Sequence, residues 1–142
     1  MPSRYDEAKK CRVGTMDEKQ FYGEADAANG AYFKALIAAW LKQGGTLTWG
    51  AGGVGLRKAI GGKEVGVCFL APAYAGKKDR IEFSLTVLGK VIGVPRCEAL
   101  KAALQEAAGA QLTGSSMVCV LEPGKLPAVG QKSVSAALLD LQ

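Results

Sequence analysis

The chain has 142 residues, of which 49% are apolar and 22% are charged, enough for one domain with a sizeable core. Its 18 basic and 13 acidic residues give a net charge of +5, which permits a polyanionic partner without requiring one. The chain contains no histidine, which excludes Ser-His-Asp and Cys-His catalytic arrangements and zinc sites that combine cysteine with histidine. The cysteines form no C-x-x-C pair, so we expect free, buried thiols in a reducing compartment: Cys11, Cys68, Cys97 and Cys119.

Residues 1–24 are polar and lack a sustained apolar period, so we expect them to pack on a single domain that spans residues 25–142. Within this segment the sequence predicts a short helix near residues 5–11, followed by a loop. The first residues are too polar for a secretory signal, and no apolar run reaches the 18 residues that a membrane span needs. The expectation is therefore a cytoplasmic protein without a membrane partner.

Residues 26–43 carry the clearest helical pattern. Asp26 or Asn29 is suited to cap the start, and Gly44 to end the helix. The apolar side chains recur with helical spacing and predict one buried stripe: Phe33, Leu36, Ile37, Trp40 and Leu41.

The glycine-rich stretch at residues 46–63 supports two interpretations. Residues 50–55 spell G-x-G-x-x-G, the pattern of a phosphate-binding loop that opens a helix. Only residues 56–60 precede Gly61-Gly62, however, which leaves little room for that helix. The second interpretation, two turns of an antiparallel sheet, is favoured, because a glycine pair between strand-like runs is typical of a two-residue hairpin.

Two further strands and a helix–strand–helix sequence follow. Residues 63–70 predict a central strand buried on both faces, with Val65, Val67 and Phe69 on one side. Residues 80–88 alternate apolar and polar side chains and predict a half-exposed strand. Beyond it the patterns predict a helix at 95–108, a strand at 116–121 that can join the sheet in parallel, a Pro/Gly loop at 122–130 and a last helix.

The resulting fold class is α+β. It consists of a central, mostly antiparallel meander of three or four strands plus one further strand, flanked by helices in the order α-β-β-β-α-β-α. The expected function is that of a small non-enzymatic binding module, without a cofactor, for nucleic acid or another polyanion. The candidate binding residues are basic or aromatic and lie around two turns: Arg57, Lys58, Lys63, Tyr74, Lys77, Lys78 and Arg80.

Three carboxylates suggest an alternative function. The element order over residues 26–121 resembles the core of the restriction-endonuclease-like (PD-(D/E)xK) superfamily, in which acidic residues on the second and third core strands bind a divalent cation and activate water. The resemblance implies a Mg²⁺-dependent nuclease that uses Glu64, Asp79 and Glu82. Ser84 stands where the family has lysine, and the family's Pro-Asp is missing, so the resemblance implies a degenerate member more than an active nuclease.

A protein-interaction or structural domain is the third class of function. The last helix carries a second apolar pattern, formed by Val134, Leu138 and Leu141. In this class of function the last helix would be the interaction surface, and a homodimer buried through these side chains would favour it. The Pro/Gly loop at residues 122–130 offers the other surface for such a partner.

Overall fold

A six-stranded antiparallel sheet forms the centre of the computed structural model, which describes residues 2–9, 11–73, 77–108, 112–114 and 119–141. The strands are β1 (Arg4–Asp6), β2 (Cys11–Val13), β3 (Thr46–Trp49), β4 (Val54–Ile60), β5 (Lys63–Ala71), β6 (Arg80–Phe83), β7 (Leu112–Gly114) and β8 (Cys119–Leu121). The helices are α1 (Glu18–Glu24), α2 (Ala27–Lys42), α3 (Leu85–Ile92), α4 (Val94–Ala108) and α5 (Ala128–Leu139), and Pro123–Lys125 form one 3₁₀ turn.

The large sheet has the strand order β3-β4-β5-β6-β8-β7, and β1 and β2 form a separate pair. This arrangement confirms the α+β class and the four-stranded meander, β3 to β6, with a further strand and flanking helices. The expectation that the last strand joins in parallel is wrong, because β8 pairs antiparallel with β6. Strand β7, which was not predicted, runs antiparallel to β8, so the chain reverses its direction before β8 begins.

The N-terminal segment forms a hairpin, so the helix expected near residues 5–11 is wrong. Asp6 explains the turn, because its Oδ1 accepts hydrogen bonds from the backbone N–H groups of Ala8 at 2.9 Å and Lys9 at 3.1 Å. The segment then packs on the domain through the fully buried Met16 and Phe21. The Met16 N–H donates to the Gly50 carbonyl at 2.9 Å.

Helix α2 confirms the strongest helical prediction. Asp26 caps its start by accepting a hydrogen bond from the Ala28 N–H, and Gly44 follows its end with a φ of 88°. Four of the five predicted stripe residues are buried, whereas Leu41 is 48% exposed and belongs to the solvent side.

The glycine-rich stretch forms two hairpin turns. Residues 50–53 connect β3 to β4, and Gly61-Gly62 connect β4 to β5 with φ values of 59° and 82°, as a type I′ turn requires. Gly55 lies within strand β4, so no helix follows the G-x-G-x-x-G. The phosphate-loop interpretation is therefore wrong.

A β-bulge changes the faces of strand β5. Leu56 pairs with Cys68 while Arg57 pairs with Gly66, which leaves Val67 as an extra residue. Side chains on either side of a bulge no longer follow simple alternation. Val65 and Phe69 consequently lie on opposite faces of the sheet, which corrects the prediction that they share one.

The strand expected over residues 80–88 ends at Phe83, and helix α3 follows it. Ser84 causes the change, because its Oγ accepts a hydrogen bond from the Val87 N–H at 3.2 Å and caps the helix. Leu85, Leu88 and Ile92 are buried at helical spacing, whereas Val87 is 46% exposed.

Helices α2 and α5 cover one face of the sheet. Trp40 of α2 donates from its ring N–H to the Arg57 carbonyl at 2.9 Å, and Lys58 Nζ donates to the Leu139 carbonyl of α5 at 3.1 Å. Within the described residues, no helix has both the length and the apolar character needed to cross a membrane.

The apolar pattern of α5 belongs to this core. Val134, Leu138 and Leu141 are all at most 6% exposed. The prediction that they could form an oligomer surface is therefore wrong, because the packing of α5 within the chain already buries them.

Candidate functional site

The sheet has a second face, which is largely uncovered and which we call the open face. One row of paired residues defines it across strands β3 to β6: Thr48, Gly55, Phe69 and Glu82. Paired residues on neighbouring strands share a face, and their Cβ atoms lie about 4.5–5.5 Å apart. In this row Thr48 is exposed and the other three are half-buried, whereas in the next row Val54, Leu70 and Ile81 are completely buried.

The open face carries a shallow cleft of about 490 Å³. Its floor crosses strands β4, β5 and β6, and Ser84, the N-cap residue of α3, lines one margin. The floor combines two glycines, an aromatic ring and two charged side chains: Gly55, Gly66, Phe69, Arg57 and Glu82.

Phe69 supplies the aromatic ring of the cleft. The side chain is half-buried, and it lies outside the hydrophobic core cluster of the described residues. Glycines leave its surroundings uncrowded, since a Cβ at Gly52 would lie 3.7 Å from the ring Cε1 and a Cβ at Gly55 would lie 3.8 Å from Cδ2. The small residues around Phe69 therefore keep part of the ring accessible to a flat ligand.

Arg57 supplies the positive charge of the cleft. Its side chain is 40% exposed, and its Nε lies 3.3 Å from Oε1 of Glu64, an ion pair near the surface. A Cβ at Gly66 would lie only 3.3 Å from Arg57 Nη1, so the glycine gives the guanidinium room above the sheet. The guanidinium can thus present donors both to Glu64 and to a bound anion.

Glu82 lies beside Phe69 on the neighbouring strand. Its Oε2 is 3.4 Å from Nε of Arg80, and the two side chains are 28% and 9% exposed. Arg80 also donates from Nη1 to the Lys78 carbonyl at 3.4 Å. Arg80, which the sequence predicts as a binding residue, thus contacts both the Glu82 carboxylate and the loop that precedes β6.

Asp79 is a structural carboxylate in this arrangement. It is 4% exposed, and its Oδ2 accepts hydrogen bonds from the Asp26 N–H at 2.8 Å and from Asn29 Nδ2 at 2.9 Å. Its Oδ1 accepts a third, from the Ala73 N–H at 2.7 Å. Asp79 thereby ties the β5–β6 connection to the start of α2.

The structure does not bring Glu64, Asp79 and Glu82 together. Glu64 precedes Phe69, the partner of Glu82, by five positions along β5, which corresponds to about 16 Å. One cation binds its oxygen ligands at about 2.3–2.6 Å and cannot contact both carboxylates. In the described part of the chain, no group of three or more His, Cys, Asp or Glu residues has the arrangement of a metal site.

The predicted basic residues divide between the two faces and the two ends of the sheet. Lys58 points to the covered face, as expected for a neighbour of Arg57, and its Nζ lies 4.7 Å from the centre of the Trp40 ring. Burial there lowers the pKa of Lys58. Lys63 is exposed at the Gly61-Gly62 end, whereas Lys77 and Lys78 are exposed at the opposite end. Tyr74 lies outside the described residues.

The cysteines are free thiols, as predicted, but Cys11 is exposed rather than buried. Cys68 is buried, and this burial raises its pKa to about 12. Burial also raises the pKa values of Cys97 and Cys119. A thiol with a raised pKa is a poor nucleophile, so these three side chains do not have the properties of catalytic cysteines.

Phe69 and Gly55 were not among the predicted site residues. The bulge at Val67 places Phe69 on the face opposite to Val65, and nothing in the local alternation signals this shift. Gly55 within β4 and Gly66 within β5 were the available signal, because glycine in a strand often marks a place where a ligand approaches closely. No protein-family model, curated protein or solved structure matches the chain.

Proposed function

We propose that the chain is a small non-enzymatic binding module that holds a single-stranded nucleic acid on its open face. The observation that carries the proposal is the partly accessible Phe69 ring, which lies among glycines in a cleft that also contains Arg57. An aromatic ring stacks on unpaired bases, and a guanidinium binds phosphate oxygens.

The dimensions of the cleft fit this class of ligand. Neighbouring strands lie about 4.8 Å apart, so the row from Thr48 to Glu82 extends about 14 Å, enough for a few nucleotides. Bases in a duplex are stacked on each other and cannot lie flat on Phe69, so the proposal specifies a single strand. Lys77 and Lys78 add positive charge beyond one end of the open face.

The direct test measures the affinity of the full chain for a fluorescently labelled 12-nucleotide single strand at low salt. Phe69→Ala is expected to weaken binding roughly 5- to 150-fold, because a base stacked on an aromatic side chain contributes about 1–3 kcal/mol. Tyr5→Ala is the matched control, since Tyr5 is a 38% exposed aromatic outside the cleft. Equal affinities of Phe69→Ala and the unmodified protein would refute stacking on the open face.

Arg57 is tested in the same assay. Arg57→Ala is expected to weaken binding about tenfold, because a hydrogen bond to a charged group contributes about 1.5–3 kcal/mol and the guanidinium shares its donors with Glu64. Lys34→Ala removes one positive charge from an exposed position on α2, on the covered side of the sheet, and should leave the affinity unchanged. If both variants lose affinity equally, only the net charge matters and the cleft is not the site.

A further inference from the structure

We infer that Glu82 makes the open face selective for guanine, an inference that rests on the proposed function. Glu82 lies next to Phe69 in the row of paired residues, so a base stacked on the ring would place its edge near this carboxylate. Glu82 would then contact the edge of the base, while Phe69 stacks on its face and Arg57 binds the phosphate.

The charge of Glu82 excludes a role in phosphate binding. A carboxylate repels a phosphate at short distance, whereas it accepts hydrogen bonds from the N–H groups of a base edge. Its position beside the ring, rather than at the rim of the sheet, therefore favours contact with a base. Lys63, Lys77 and Lys78 lie beyond the ends of the cleft, where a phosphate chain would continue.

The carboxylate is held in place for this task. Oε2 contacts Arg80, whose side chain is only 9% exposed and is anchored in turn on the Lys78 carbonyl. A carboxylate has about four lone-pair sites, so the contact with Arg80 leaves acceptor sites for a ligand. The carboxylate thus presents both of its oxygens to the cleft as fixed acceptors.

The base edges differ in the donors they offer. Guanine presents two adjacent donors, N1–H and the N2 amino group, which match the two oxygens of a carboxylate. Cytosine and adenine each present one amino group, and thymine presents one N–H between two carbonyl oxygens that a carboxylate repels. A good two-point contact to a base discriminates against the wrong base by about 5- to 150-fold, so the expected order of affinity is guanine, then cytosine and adenine, then thymine.

The test uses thymine 11-mers that carry one central guanine, cytosine, adenine or thymine, and the full chain as the binding protein. We expect the guanine strand to bind at least tenfold more tightly than the all-thymine strand. Replacing the guanine by inosine removes the N2 amino group and keeps N1–H, and this change should weaken binding several-fold. The inosine comparison needs no protein variant, so it remains decisive even if a Glu82 variant folds poorly.

Glu82→Gln should remove most of the preference for guanine while it maintains or strengthens binding of the all-thymine strand. Glu106→Gln, at an exposed carboxylate of α4, is the matched control and should keep the preference. Equal binding of all four strands, or an unchanged preference in Glu82→Gln, would overturn the selectivity but not the binding function. Failure to bind any strand would overturn both.

Discussion

At the scale of the single residue, Asp79 shows how a carboxylate that attracts a catalytic interpretation can be structural. Its two oxygens accept three hydrogen bonds from two backbone N–H groups and the Asn29 amide. A backbone N–H at the start of a helix has no acceptor within the helix, so an external carboxylate satisfies it. The loop before β6 and the start of α2 consequently depend on one side chain.

We therefore predict that Asp79→Asn lowers the free energy of unfolding by about 1–3 kcal/mol. The new NH₂ group would face N–H donors, and because it is itself a donor it cannot accept their hydrogen bonds. Chemical denaturation monitored by Trp fluorescence measures the change. Glu98→Gln makes the same chemical change at an exposed position of α4 and should shift the midpoint little. A catalytic Asp79 would give the opposite result, with unchanged stability and loss of Mg²⁺-dependent cleavage.

At the scale of the element, the β3–β4 turn depends on Gly53. This residue has a φ of 155°, and a Cβ there would overlap the Leu70 carbonyl oxygen of strand β5. The unusual φ alone costs a residue other than glycine about 1–3 kcal/mol. The neighbouring Gly52 lies outside the positive-φ range, and a Cβ there would make ordinary contact with the Phe69 ring.

Gly53→Ala should accordingly destabilise the protein by about 1–3 kcal/mol, whereas Gly52→Ala should change stability by no more than about 0.5 kcal/mol. The thermal midpoints of the two variants provide the comparison. Equal losses would show that the turn tolerates side chains at both positions and that the approach of Gly53 to β5 is not required.

The elements that sequence predicted correctly are those whose signal is local. Helix α2 has its own N-cap residue and apolar side chains at helical spacing, and Gly61-Gly62 has the positive φ values that a two-residue hairpin turn needs. Residues 80–88 show the limit of such signals, because their alternation continues beyond the point where Ser84 begins a helix. The Leu85, Leu88 and Ile92 spacing fits a helix equally well, and only the cap distinguishes the two.

At the scale of the whole molecule, the order of strands depends on contacts between distant parts of the chain. Strand β8 lies between β6 and β7, a position that no local pattern indicates. The candidate site has the same dependence, since Thr48, Gly55, Phe69 and Glu82 meet only through the register of four strands. Sequence could therefore predict the class of fold and the basic turns, but not the face on which an aromatic ring and two charges come together.

The distribution of positive charge over the whole sheet leads to the last prediction. Binding of the labelled 12-nucleotide strand should weaken as salt rises, with a slope of log affinity against log salt of about −0.7 for each phosphate neutralised. Lys77→Ala/Lys78→Ala should reduce the steepness of that slope by up to about 1.4, because both lysines lie at the end of the sheet nearest Phe69.

The control for this prediction is Lys34→Ala/Lys42→Ala on the exposed side of α2. Both double variants lower the net charge from +5 to +3, so they have the same effect on long-range attraction at a given salt concentration. A slope that changes only in the Lys77/Lys78 variant locates the phosphates at that end of the open face. Identical slopes in both variants, or binding that does not depend on salt, would contradict a polyanionic ligand there, because close phosphate contacts always release counterions.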